Sequence, residues 1–123
     1  MMLIGINHVQ ITIPEGQEQA AREFYCDLLG LKEIEKPDVL KPNGGFWLQL
    51  GCIQIHVGTE SGVDRNNTKA HIAYEVTDIA AWRGKLEAAK ITVLNGQAIP
   101  GFQRFEFRDP FGNRVELIER QTS

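Results

Sequence analysis

Apolar and polar residues alternate along residues 6–13 and again along residues 71–76, with the period of two that is typical of a half-buried β-strand. In the first stretch the apolar side of the strand is formed by Val9, Ile11 and Ile13, and the polar side by His8, Gln10 and Thr12. The second stretch begins at His71, so that each predicted strand carries a histidine near its start.

Two longer stretches, residues 16–29 and Asp78 to about Lys90, place apolar residues at helical spacing and predict amphipathic helices. Gly30 follows the first stretch at the position of a C-terminal cap. The remaining apolar segments are short and lie between turn-forming residues, and they predict strands at 31–35, 46–50, 52–58, 91–94, 103–108 and 113–119.

The order of these elements repeats, because each half of the chain is predicted to contain one strand, one helix and three further strands. We expect a single α+β domain with a first module at about 2–58, a connector at 59–69 and a second module at about 70–120. The repeat keeps a nearly constant offset: 63 positions separate His8 from His71, and 60 separate His56 from Glu116. A loop of about ten residues, KPDVLKPNGG, lies within the first module, and loops of this length often carry function.

Strand parity places four metal-capable side chains opposite the apolar face of their strands, and each lies on a different strand: His8, His56, His71 and Glu116. A first-row divalent cation binds about three or four imidazole or carboxylate ligands that converge from a rigid frame. Any one histidine on an open sheet is better explained as a surface polar residue. The four together favour a metal site.

Composition narrows the possible partners. The chain is 42% apolar and 24% charged with a formal charge of -3, which argues against a non-specific nucleic-acid binder or an anionic-membrane binder. Cys26 and Cys52 form no CxxC pair, and MMLIGINHVQ lacks the layout of a signal peptide, so we expect a reducing, cytoplasmic setting. No apolar run approaches membrane-spanning length.

Four segments give the chain a resemblance to a known family. They are His8 in NHVQITI, the segment AREFYCDLLGL at 21–31, His71 in AHIAYEV, and DPFGNRVEL at 109–117, which is the most specific of them. On these segments the chain resembles the vicinal oxygen chelate superfamily, which includes glyoxalase I, fosfomycin-resistance thiol transferases, extradiol dioxygenases and bleomycin-resistance proteins. The resemblance covers nearly the whole length of the chain.

The resemblance implies that two paired βαβββ modules form a curved mixed sheet around a central cleft that holds a divalent metal. His8, His71 and Glu116 match the family's ligand positions. His56 matches the fourth position, where glyoxalase I carries a glutamate, so His56 is either a ligand or lies just outside the ligand shell. The family commonly dimerises, and a homodimer is therefore expected, with the modules pairing either within one chain or between chains.

The resemblance also implies three alternative functions. The first is a divalent-metal enzyme of glyoxalase-like type, a lyase, isomerase or transferase that uses Zn, Ni, Mn or Fe on a small oxygen-rich or electrophilic substrate, with Glu116 as the catalytic base. The second is a ligand-sequestering protein of the bleomycin-resistance type without catalysis. The third is a small extradiol-dioxygenase-like protein.

Parity also predicts the pocket lining. The residues expected to flank the ligands are Gln10, Thr12, Gln54 and Arg114, and those expected to project from the adjoining strands are Trp47, Gln49, Arg104 and Glu106. Of these, Gln54, Trp47, Arg104 and Arg114 are the candidate contacts of a small-molecule substrate. An arginine in such a place can clamp a carboxylate or phosphate. The alternative to substrate binding for Arg104 and Arg114 is the role of a solvated or ion-paired surface residue. Trp47 is either a core-packing residue or an aromatic lid over the site.

Overall fold

A computed structural model describes residues 1–122 of the chain. The chain divides into two compact units, a first unit that spans Met1–Val63 and a second unit that begins at Asp64. Both units combine short helices with a mixed β-sheet, which confirms the predicted α+β class.

The first unit contains one four-stranded sheet. Its elements, in chain order, are β1 (His8–Ile13), α1 (Glu18–Arg22), a π-helical segment (Glu23–Leu28), β2 (Lys32–Ile34), a 3-10 segment (Asp38–Asn43), β3 (Phe46–Leu50) and β4 (Ile53–Thr59). The strands lie in the order β1-β4-β3-β2. β1 runs parallel to β4, whereas β3 is antiparallel to both of its neighbours.

The second unit contains one three-stranded sheet. Its elements are a 3-10 segment (Arg65–Asn67), β5 (His71–Glu75), α2 (Ile79–Ala88), β6 (Phe102–Arg108) and β7 (Arg114–Arg120). The strands lie in the order β5-β7-β6, with β5 parallel and β6 antiparallel to β7. In both units, therefore, the first strand pairs in parallel with the last.

The register of these parallel pairs confirms the repeat. His8 lies opposite Gln54, two residues before His56, and His71 lies opposite Arg114, two residues before Glu116. Successive side chains of a strand point to opposite faces, so each unit presents its histidine and the later site residue on the same face of its sheet.

The buried side chains explain why these segments fold as they do. In the first unit, Ala21, Phe24 and Tyr25 of the helical region are buried, and the fully buried strand residues include Leu48 and Ile55. Burying one such side chain contributes roughly 1.5–3 kcal/mol. The core of the second unit is formed by Tyr74, Ile79, Leu86, Phe105, Phe107, Val115 and Leu117.

The start of α2 is held by two carboxylates. Asp78, in a left-handed backbone conformation, accepts a hydrogen bond from the Ala81 amide, and Glu119 of β7 accepts hydrogen bonds from the amides of Asp78 and Ile79. These bonds satisfy N–H groups that a helix start leaves without a partner. No helix among residues 1–122 is long and apolar enough to cross a membrane.

Two predicted elements differ from the structure. The predicted strand at 91–94 is wrong: this segment forms only an isolated bridge between Leu94 and Glu106, and Leu94 is exposed. The predicted helix over 16–29 is shorter and is not α-helical throughout, because the α-helical hydrogen bonding ends at Arg22 and a π-helical segment follows.

Candidate functional site

The second unit brings His71 and Glu116 together on the face of the sheet opposite the apolar core. Nε2 of His71 lies 3.1 Å from Oε1 of Glu116. The Glu116 side chain is 6% exposed and the His71 side chain 31% exposed, so the carboxylate lies beneath the imidazole and only the imidazole is open to solvent.

The hydrogen bond on the other ring nitrogen of His71 defines what the pair can bind. Nδ1 lies 2.8 Å from the backbone carbonyl oxygen of Lys69, and since a carbonyl can only accept, Nδ1 carries the proton. In the neutral form of the ring, Nε2 presents a lone pair to the carboxylate oxygen, which is also an acceptor, whereas in the protonated form it donates a hydrogen bond to that oxygen. Two facing acceptors need a proton or a cation between them, and a metal-ligating histidine characteristically donates its other N–H to a carbonyl or carboxylate.

Glu116 is one member of a chain of ion pairs across β6 and β7. Arg104 donates from Nε to Oε2 of Glu116 over 2.9 Å and from Nη2 to Oε1 over 3.0 Å. The same Nη2 donates to Glu106 over 2.6 Å, and Glu106 also accepts a hydrogen bond from Arg114 over 2.5 Å. Each carboxylate in this face is therefore bonded to at least one guanidinium.

These hydrogen bonds keep both carboxylates ionised. The pKa of Glu116 is lowered chiefly by its hydrogen bonds from Arg104, although burial acts in the opposite direction. The pKa of Glu106 is lowered chiefly by the hydrogen bond from Arg114. An ionised Glu116 has the charge that a divalent cation requires of its ligand.

The first unit holds its two histidines in a stack of three rings. The His56 ring lies between Trp47, at a centroid distance of 3.9 Å, and His8, at 4.1 Å. Nε2 of His56 bonds to Oε1 of Gln54, so this nitrogen carries the proton, and burial lowers the pKa of His56. Nδ1 of His8 bonds to Oδ1 of Asn7, which leaves the lone pair on Nε2 of His8.

A cavity of about 300 Å³ opens beside this stack, within the first unit. Trp47 and His56 form one part of its wall, and Gln10 and Lys36 supply polar groups. Sequence patterns missed Lys36 as a lining residue, because it follows β2 in the irregular segment. The signal in the sequence that could have identified Lys36 is the ten-residue loop KPDVLKPNGG, which begins at this residue.

The predicted site residues thus form two sets, one in each unit. Trp47, Gln54, His56 and His8 lie together in the first unit, and His71, Arg104, Arg114 and Glu116 in the second. Within residues 1–122, no three His, Cys, Asp or Glu side chains form a group that could hold a metal ion. The gathering of His8, His71 and Glu116 into one ligand set therefore stays a prediction.

Comparison with known proteins identifies relatives for nearly the whole chain. The family model described as the Glyoxalase/Bleomycin resistance protein/Dioxygenase superfamily matches residues 5–117. A glyoxalase family protein from Bacillus anthracis is 39% identical in sequence, with a TM-score of 0.90 and 98% of both chains covered. No functionally curated protein matched the chain.

Two solved structures with lower identity share the fold. A point mutant of the fosfomycin resistance protein FosX from Listeria monocytogenes, determined with Mn(II) and 1S,2S-dihydroxypropylphosphonic acid, has a TM-score of 0.80 at 15% identity, covering 98% of this chain and 95% of its own. Lactoylglutathione lyase from Agrobacterium tumefaciens has a TM-score of 0.72 at 22% identity, covering 94% of this chain and 92% of its own.

Proposed function

Because the chain belongs to the Glyoxalase/Bleomycin resistance protein/Dioxygenase superfamily, we propose that it is a divalent-metal enzyme of glyoxalase-like type, a lyase, isomerase or transferase. The observation that carries this proposal is the 3.1 Å distance between Nε2 of His71 and Oε1 of Glu116, because a neutral imidazole nitrogen and a carboxylate oxygen in that arrangement are suited to share a cation. The Mn(II) bound by FosX, a protein of the same fold, supports the choice of a divalent ion.

His71 and Glu116 supply two ligands in this proposal, and His8 supplies a third. The hydrogen bond from Nδ1 of His8 to Asn7 leaves its Nε2 suited to ligation, as in His71. We place His56 outside the ligand set, because its ring is buried between the rings of Trp47 and His8 and its Nε2 is already bonded to Gln54. Zn, Ni, Mn and Fe(II) all accept such ligands.

A bound divalent cation supplies Lewis acidity to a substrate that presents two neighbouring oxygen atoms. Glu116 contributes negative charge at neutral pH, since Arg104 holds its pKa below the ordinary value. The same lowered pKa makes Glu116 a weak proton acceptor, so its charge fits the role of ligand better than that of base. Its assignment as the catalytic base stays a prediction.

The cavity of the first unit provides the substrate contacts in this proposal. Its volume of about 300 Å³ suits a small molecule. The Trp47 ring offers an apolar wall, while Gln10 and Lys36 orient polar groups of the substrate. Arg114 is a further candidate, because its Nε is buried and has no hydrogen-bond partner among the described residues.

The first test is metal binding by the purified protein. We expect about one equivalent per chain after dialysis against Zn, Ni, Mn or Fe(II), and a loss of at least about tenfold in affinity for His71→Ala and Glu116→Gln. Glu75→Gln is the matched control, because Glu75 lies on β5 with His71 and is exposed. Elemental analysis and equilibrium dialysis measure both quantities.

Less than about a tenth of an equivalent in the parent protein, before and after dialysis, would exclude the metal-enzyme proposal. Retention of metal by His71→Ala with the parent's affinity would instead show that the proposed site is wrong.

A ligand-sequestering protein of the bleomycin-resistance type is the second candidate function. The cavity beside the Trp47 and His56 rings supports it, because that cavity needs no metal to bind an organic molecule. A metal-free protein that binds small aromatic ligands, with loss of binding in Trp47→Ala, would favour this candidate over the enzyme. The dioxygenase-like function has no comparable support.

We further propose that the chain forms a homodimer. Residues 1–7, which precede β1, are exposed throughout and include the large apolar side chains of Met1, Met2, Leu3, Ile4 and Ile6. Contiguous exposed apolar residues of this kind mark interaction sites more often than ordinary surface. β1 and β5 moreover each lie at one edge of their sheets, and among the described residues of each unit they pair with one strand only.

A further inference from the structure

We propose that Arg104 is the positioning residue of the metal site: its guanidinium fixes the Glu116 carboxylate so that one oxygen faces Nε2 of His71. This inference rests on the function proposed above, because it assigns a role to Arg104 relative to two proposed ligands. It differs from the role in substrate binding that the sequence predicts for Arg104.

The hydrogen bonds of Arg104 account for the orientation of Glu116. The guanidinium binds both carboxylate oxygens in parallel, through Nε to Oε2 and through Nη2 to Oε1, a geometry that holds the carboxylate plane. Each oxygen has two acceptor positions. Oε1 therefore keeps one position directed at His71, and this is the position that would face a cation.

Arg104 is itself held on three sides. Nη2 also donates to Glu106, and Nη1 donates over 2.9 Å to the carbonyl oxygen of Gln97. Four of its five N–H groups are thus engaged within the second unit, which leaves a single N–H for any substrate. Its side chain is 11% exposed, and the loop that carries Gln97 covers it.

Charge alone does not explain this arrangement. A lone guanidinium beside Glu116 would repel a divalent cation, but Glu106 is bonded to both Arg104 and Arg114 and offsets one of their two positive charges. The two arginines and two glutamates sum to no net formal charge. What Arg104 adds to the site is consequently the direction of the Glu116 oxygens.

Gly96 provides an independent way to move Arg104. A methyl group at this position would overlap Nη1 and the central carbon of the Arg104 guanidinium, so Gly96→Ala must displace either the guanidinium or the loop whose Gln97 carbonyl binds it, without changing the chemistry of Arg104. Gly84→Ala is the matched control, because Gly84 lies in α2 and an added methyl group there meets nothing within 4 Å.

The experiment measures Mn(II) binding by equilibrium dialysis, with free Mn(II) determined by electron paramagnetic resonance, for the parent and the variants Arg104→Met, Arg104→Lys, Gly96→Ala and Gly84→Ala. We expect affinity to fall by about 10- to 100-fold in the first three, since substitution of a partner that orients a metal ligand has effects of this size. Gly84→Ala should bind Mn(II) as the parent does.

Arg104→Lys separates orientation from charge, because lysine keeps the charge but cannot bind both oxygens in parallel. Parent affinity in Arg104→Lys, or tighter binding in Arg104→Met, would overturn the inference. Thermal unfolding identifies any variant that fails to fold. If the Arg104 variants fail to fold, Gly96→Ala alone tests the inference, and Mn(II) affinity equal to that of the parent would count against it. Failure of the proposed function is distinct, because the parent itself would then bind none of Mn(II), Zn, Ni and Fe(II); if it binds one of the other three, that ion replaces Mn(II) in this comparison and equilibrium dialysis with elemental analysis measures it.

Discussion

Gly45 is the residue where backbone geometry leaves the least freedom. Its φ of +80° lies in the left-handed region, and a Cβ atom there would overlap the carbonyl oxygen of Val57 on the neighbouring strand β4. Its amide donates a hydrogen bond to Glu18 at the start of α1. The position therefore joins the helix to the sheet in the first unit.

Replacing Gly45 by alanine should destabilise the chain by about 2–5 kcal/mol, the sum of a left-handed backbone penalty and a steric overlap with rigid backbone. Gly62→Ala is the control, since Gly62 has a φ of +76° but open space around its Cβ position. Gly62→Ala should lower the free energy of unfolding by about 1–2 kcal/mol. Urea unfolding followed by circular dichroism measures both, and equal costs would contradict the steric argument.

At the scale of single residues, strand parity predicted faces correctly but could not predict contacts. His71 and Glu116 do share a face, as the alternation around them indicates. The bonds from Arg104 to Glu116 and the stacking of His56 between two rings depend on register and rotamer, which the alternation does not contain. Parity also placed His56 and Glu116 away from the core, yet both are buried, because neighbouring side chains cover them.

The pairing of β6 with β7 links the ion pairs of the second unit to its stability. Glu106 and Glu116 lie directly opposite each other in the register, and like charges in that position are destabilising unless cations separate them. Arg104 and Arg114 supply those cations.

This arrangement predicts a specific loss of stability in acid. Since the folded-state pKa of Glu106 lies below its ordinary value of 4.5, its stabilising contribution is complete above that pH and is lost as the pH falls through the folded-state pKa. The free energy of unfolding in urea should therefore decrease from about pH 5 to about pH 3, and more steeply in the parent than in Glu106→Gln.

Glu75→Gln serves as the comparison for acid unfolding, because the Glu75 carboxylate lies 3.6 Å from Arg120 in an exposed pair that water screens. Its pH profile should follow that of the parent. An unchanged profile in Glu106→Gln would show that the ion pairs of Glu106 with Arg104 and Arg114 do not stabilise the fold.

At the scale of elements, strongly periodic segments were predictable and weakly periodic ones were not. The alternation of β1 and β5 and the helical spacing of α2 predicted their positions within about three residues. Residues 91–94 offered a short apolar run, but Lys90 adopts a positive φ of 62° and Leu94 stays exposed, so only one bridge to β6 forms. The π-helical segment had no signal, because apolar spacing does not separate α from π hydrogen bonding.

For the whole molecule, the homodimer proposal predicts a specific effect of the exposed segment before β1. Light scattering coupled to gel filtration should give a dimer for the parent and a monomer for a Leu3→Asp, Ile4→Asp double variant, because charges would then replace apolar contact area. Val39→Asp is the control, as Val39 is also exposed but lies in the 3-10 segment. A monomeric parent would exclude the homodimer.

Dilution of the parent connects assembly to the proposed metal site. If His8 of one chain joins His71 and Glu116 of a second copy, dilution to the monomer should release the metal; if all three ligands belong to one chain, it should not. The sequence predicted the repeat of modules but not this choice, since the same side chains serve either pairing.

Trp47 of the ring stack also allows unfolding of the first unit to be followed by fluorescence. The chain has two tryptophans, Trp47 in β3 of the first unit and Trp82 in α2 of the second, so each unit contains its own fluorophore. Trp47→Phe and Trp82→Phe variants would each leave emission from one unit only. Coincident denaturation curves from the two variants would identify one cooperative folding domain, and separate curves would show that each half of the repeat folds as a domain in its own right.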